Sequence, residues 1–146
     1  MSNECDLVVP GRADQLDTIR EYIGRVARRA GLDEQQVFRV QLSVDEACAN
    51  VVEHAYENTQ GGDIVLKCKW NEDELTITIR DFGQPFDPKC VPPPNLDNDL
   101  ESRTPGGLGL YFMYQMMDQV CFEFDQDNGN TLTMVKQLKP PPQDIP

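Results

Sequence analysis

The chain has 146 residues and 39% hydrophobic content, which suits one compact domain with a real core. A formal net charge of −12 argues against binding a nucleic-acid backbone, which needs clustered Lys and Arg, and points to a protein partner instead. No apolar run approaches the roughly 18 residues of a membrane span, and the N-terminus lacks a charged, apolar signal region, so the expectation is a soluble, cytoplasmic protein with no membrane partner.

Residues 4–9 read as a short strand that ends at the Pro10-Gly11 turn signal. A helix follows, with Leu16, Ile19, Ile23, Val26, Ala27 and Ala30 recurring at helical period, Asp14 placed to cap its start and Gly31 placed at C′. Its outer face carries Asp17, Arg20, Glu21, Arg25, Arg28 and Arg29, read as solvated charges or, alternatively, as a dock for an acidic partner. A second helix starts at Asp33, where Asp33 and Gln36 resemble a capping box, and runs to about residue 58 before Gln60-Gly61-Gly62 breaks it.

Within that second helix, Val37, Val44, Cys48, Val51 and Ala55 form a core-facing stripe. Glu46 and Asn50 lie away from it, about 40° apart around the axis, so their side chains address one volume of space. Such a pair often forms a merely solvated face. It also suits a site in which a neutral amide oxygen meets a hard cation and a carboxylate accepts a proton.

From residue 63 the period changes to two. Ile64, Leu66, Cys68 and Trp70 alternate with Val65, Lys67 and Lys69, and a second run places Leu75, Ile77 and Ile79 against Thr76, Thr78 and Arg80, which reads as an antiparallel hairpin ending at Asp81. Residues 82–103 are rich in proline and acidic groups and read as irregular, with residues 87–104 as a lid. Pro105-Gly106-Gly107-Leu108-Gly109-Leu110 leads into a helix through about residue 117, strands follow near 120–124 and 131–138, and residues 140–146 form a loose tail to a single domain of residues 1–139. The five cysteines, Cys5, Cys48, Cys68, Cys90 and Cys121, are odd in number and lack CxxC spacing, so they read as reduced and mainly structural. With His54 the only histidine, zinc is not expected.

Three stretches carry candidate chemistry together. Asp81 at a strand end, followed by Gly83, suits reading an exocyclic amine, although an Asp before Gly and Pro also starts turns. Gly107-Leu108-Gly109 at a helix mouth offers N–H groups to an anion, or serves as a hinge. With Glu46 and Asn50 these supply the parts of an ATP site, while the GxxxxGK[ST] loop of P-loop enzymes is absent.

The order E-x-x-x-N on a helix, D-x-G-x-P-F after a strand and G-x-G before a helix resembles the ATP-binding domain of the gyrase, MutL and histidine-kinase superfamily. EACANVVEHAY, DFGQPFDP and GGLGLYFMYQMMD are most similar to the anti-sigma factor serine/threonine kinases of bacterial partner-switching systems, over about residues 10–138. The resemblance implies an α/β (α+β) two-layer sandwich, helices on one face of a mixed, mainly antiparallel sheet. It implies ATP and Mg²⁺ as cofactors, with Asn50 helping to hold the metal and Asp81 reading the adenine amino group. Gly83, Gly107, Leu108 and Gly109 would line the nucleotide pocket, Arg103 would contact phosphate and Glu46 would act as general base. It further implies homodimers that hold either a sigma factor or an anti-sigma antagonist and phosphorylate a serine or threonine of the antagonist. The alternative is a non-catalytic, nucleotide-gated binding module of the same fold.

Overall fold

The computed structural model describes residues 3–55, 61–84, 113–125, 127 and 129–138. The expected lid at 87–104, the glycine-rich stretch at 105–110 and the tail at 140–146 lie outside the described residues. Strand β1 (Asn3–Pro10) leads through a 3₁₀ turn (Ala13–Gln15) into helix α1 (Leu16–Ala30). Helix α2 (Glu34–Asn50) follows and passes into a π-helical turn (Val51–Ala55). The remaining strands are β2 (Asp63–Trp70), β3 (Glu74–Asp81), β4 (Gln119–Asp125) and β5 (Gly129–Gln137), with residues 113–116 helical just before β4.

The five strands form one sheet in the order β1-β2-β3-β5-β4, and every pairing is antiparallel. Among the described residues the sheet is therefore antiparallel throughout rather than mixed. The short turns between β2 and β3 and between β4 and β5 return the chain on itself, and hairpins of that length allow no parallel pair. The alternation read from the sequence sets the two faces. Ile64, Leu66, Cys68, Leu75, Ile77, Ile79, Leu132 and Met134 are all buried, while Lys67 and Lys69 between them are exposed.

The buried face meets Ile19, Ile23, Val26 and Ala27 of α1 and Val37, Val40, Val44 and Cys48 of α2 in one continuous core, joined by Met113 and Met117. Leu75, Ile77 and Ile79, all essentially inaccessible, contribute about 1.5–3 kcal/mol each by leaving water. Helices on one face of a sheet make the expected two layers. Gly24 leaves room for the Gln41 side chain against α1: a Cβ there would stand 2.5 Å from the Gln41 amide nitrogen, which donates to the Arg20 carbonyl at 3.0 Å.

Helix ends explain the boundaries. Asp33 accepts from the Gln36 N–H at 2.8 Å and caps α2 as its spacing predicts. At the end of α1, Gly31 adopts φ 104°, its N–H reaches the Arg28 carbonyl and the Leu32 N–H the Ala27 carbonyl, both at 3.1 Å. Asp14 is not the cap of α1, because the 3₁₀ turn already supplies a backbone bond from Gln15 N–H to the Arg12 carbonyl and Asp14 pairs with the Arg12 side chain. Two arginines read as solvated are engaged: Arg20 bridges to Asp45 at 2.8 Å, tying α1 to α2, and Arg28 bridges to Glu34 at 2.8 Å.

Candidate functional site

The α-helical pattern of α2 stops at Asn50, where the chain widens into the π turn, instead of continuing as α-helix to about residue 58. A π turn shifts the phase of the residues after it, and such turns recur at functional sites. Glu46 and Asn50 stand in the last turns before this switch, both half-buried, away from the fully buried Val44, Ala47 and Cys48. Burial raises the Glu46 carboxyl above its ordinary value, and the charges of Glu53 and Asp45 push it further in the same direction. Such a carboxylate is a better proton acceptor than a solvated one.

Asp81 ends β3 and is 4% exposed, one of three buried polar residues among those described. Two donors meet at its Oδ1: the Gly83 N–H at 3.0 Å and the Asn130 side-chain amide at 2.9 Å. Burial raises the Asp81 carboxyl, opposed by the hydrogen bonds from Asn130 and Gly83. Asn130 also donates to the Gln84 carbonyl at 2.7 Å, so one amide fixes both the carboxylate and the chain that leaves β3.

Strand end and helix adjoin. Cys48, on α2 between Glu46 and Asn50, has its thiol pushed up to about 12, first by burial and then by the charges of Asp45 and Asp81. The charge of Asp81, at the end of β3, thus reaches the buried side of α2 at Cys48. A groove lined by Arg80, Glu123, Phe124, Asp125, Gly129 and Thr131 opens at the same end of the sheet. Arg80, Thr131 and Glu123 stand in register on the face away from the helices, so this groove is not the space between Glu46 and Asp81.

Gly83 and Asp81 are joined by a hydrogen bond at the end of β3, and Glu46 and Asn50 lie one turn apart on α2, whereas Arg103, Gly107, Leu108 and Gly109 lie outside the described residues. Asn130 and Gly129 were not read from the sequence. Gly129 has φ 78°, and a Cβ there would overlap the Asp81 carbonyl oxygen, so only glycine lets β5 start against the end of β3. The clue lies in the alternation of β5: with Thr131 facing outward, Asn130 faces the core beside Asp81, its partner in the register.

Among the described residues no group of three His, Cys, Asp or Glu side chains forms a metal cluster. The Asn50 amide and the Glu46 carboxylate, one helical turn apart on α2, are oxygen donors of the hard type that Mg²⁺ takes. Among the described residues no helix is long and apolar enough to cross a membrane.

Comparison with known proteins converges on one family. The family model described as histidine kinase-like ATPase domain matches residues 9–136. The serine-protein kinase RsbW of Bacillus subtilis is 30% identical over 145 residues, covering 94% of this chain and 89% of the relative. That of Bacillus pumilus is 32% identical over 147 residues, covering 94% and 90%. In a crystal structure of the RsbU and RsbW domains of a Mycobacterium tuberculosis protein, a region superposes with TM-score 0.68 at 16% identity, covering 99% of this chain and 35% of that one. At that identity the likeness concerns the fold alone.

Proposed function

The chain belongs to the histidine kinase-like ATPase domain family and, within it, to the RsbW-type serine-protein kinases, and from this premise we propose that it transfers the γ-phosphoryl group of Mg-ATP to a serine or threonine of an anti-sigma antagonist protein. The observation that carries this reading is the half-buried Glu46, made more basic by its surroundings, one helical turn from Asn50 on α2. In this assignment Asp81 Oδ2 accepts from the adenine amino group while Asn130 and Gly83 hold Oδ1. Asn50 would lend its amide oxygen to Mg²⁺, which when bound would supply charge neutralisation at the phosphates. Gly107, Leu108, Gly109 and Arg103 are assigned to the phosphates from their motif.

Glu46 takes the proton of the partner hydroxyl as that oxygen attacks the γ-phosphorus and ADP departs. Positioning and charge neutralisation supply most of the acceleration in such transfers. We assign a homodimer as the working unit and a sigma factor as the protein whose release the phosphorylation controls.

Glu46→Gln keeps size and hydrogen bonding and removes the proton-accepting charge. With a partner captured by pull-down, single-turnover transfer at saturating ATP should fall by about 10² to 10⁴ while ATP affinity stays near parental. In the parent, because the Glu46 carboxyl is raised, the rate should fall with acid through a midpoint above the ordinary Glu value of about 4.3. Parental transfer by Glu46→Gln would remove the base. A parent that binds ATP and partner yet never transfers phosphate would make the protein a nucleotide-gated binding module.

A further inference from the structure

Cys5 on β1 and Cys68 on β2 stand directly opposite one another in the antiparallel register, and both point into the core. Residues opposed in this way have Cα atoms about 4.5–5.5 Å apart, inside the roughly 4.4–6.8 Å that a disulfide spans. Both are free thiols, Cys68 fully buried and Cys5 half-buried on the outermost strand. Tyr22 of α1 completes the group, its hydroxyl donating to Cys5 Sγ at 3.0 Å. Burial raises the Tyr22 phenol above its ordinary value, and contacts with both sulfurs raise it further, which places the three side chains in mutual reach. Cys68 is pushed up to about 12, chiefly by burial and next by Cys5. The other described cysteines have no such partner: Cys121 faces Thr133 across β4 and β5, and Cys48 sits in α2.

We propose that Cys5 and Cys68 form a dithiol site that a small-molecule disulfide oxidises to a cross-strand disulfide, stapling β1 to β2. Cys5, the accessible thiol, attacks one sulfur of the reagent RSSR, making a mixed disulfide and releasing one RSH that carries off the Cys5 proton. The Cys68 sulfur then attacks the Cys5 sulfur, the mixed bond breaks, and the second RSH leaves with the Cys68 proton. The two protein thiols lose two electrons, RSSR gains them, and no other oxidant enters. The closed loop, from residue 5 to residue 68, contains α1 and α2 and therefore Glu46 and Asn50. Closing a loop of this length restricts the unfolded chain strongly.

The test uses the full reduced chain incubated with oxidised glutathione. The expected product has lost two hydrogens by intact mass, yields a peptide joining Cys5 to Cys68 after non-reducing digestion, and melts about 5–12 °C higher than the reduced chain, reversibly with dithiothreitol. Cys5→Ser keeps a hydroxyl against Tyr22, so it should melt near the reduced parent and show neither cross-link nor rise. A glutathione adduct that persists on Cys5 of the parent overturns the proposal, as does a cross-link from Cys68 to any other cysteine. A Cys5–Cys68 bond that leaves Tm unchanged removes the staple.

Discussion

At the scale of single residues the site sets function against stability, and Asp81 shows how. Burial raises its folded-state pKa above the unfolded value, so the stability it contributes is fully present below the unfolded pKa and is lost as pH rises through the folded pKa. At neutral pH the ionised carboxylate is thus a cost to the fold, reduced by the Asn130 and Gly83 hydrogen bonds. Asp81→Asn keeps an oxygen for both donors and removes the buried charge. Urea unfolding should show the variant more stable than the parent at pH near 7, on the order of 1 kcal/mol, with the gain vanishing toward acid pH. Calorimetry should show weakened ATP binding with or without Mg²⁺, because the acceptor proposed for the adenine amine is altered. A stability change independent of pH would mean that Asp81 is not the buried charge the fold carries. ATP binding at parental strength would free it from adenine recognition.

At the scale of elements, two glycines of similar backbone conformation separate local from long-range requirements. Gly31 has φ 104° with no atom within 4 Å of an added Cβ, whereas Gly129 has φ 78° with the Asp81 carbonyl inside contact distance and Phe82 at 3.2 Å. Gly31→Ala should cost about 1–2 kcal/mol, the ordinary penalty of a left-handed side chain. Gly129→Ala should cost clearly more and also weaken ATP binding, since relief of the overlap moves the end of β3; equal costs by urea unfolding, with parental ATP affinity, would sever Gly129 from the site. The same contrast explains what was legible beforehand. Gly31 follows the last periodic residue of a helix, and Asp33 precedes the next, so local rules find both. Glu46 and Asn50 were legible because helical spacing alone puts polar groups off an apolar stripe, and Asp81 because the alternation of β3 ends there. Asn130 lies 49 residues from Asp81, and its meaning depends on the β3–β5 register, which no local period encodes. The π turn escaped because the five residues Val51–Ala55 are too few for their apolar spacing to tell an α from a π turn.

At the scale of the whole molecule, the acidic balance has a direct bearing on how a phosphorylated partner would leave. The chain carries 25 acidic and 13 basic residues, and several of the latter, Arg20, Arg28 and Lys136 among them, are already paired with carboxylates. A partner that gains a phosphoserine acquires about −1.5 to −2 charges near a surface with a net −12. Local hydrogen bonds aside, that addition is repulsive, and between exposed charges the repulsion falls as salt shortens the screening length from about 10 Å at 0.1 M to about 3 Å at 1 M. The phosphorylated partner should therefore bind at least about tenfold more weakly than the unphosphorylated one at low salt, and the ratio between them should shrink steadily as salt is raised. Titration of both forms by calorimetry, with the non-hydrolysable state of the nucleotide held constant, measures that ratio directly. A ratio that does not change with salt would mean that the phosphate acts by steric exclusion at the partner's serine, and the net charge of this chain would then have no part in release.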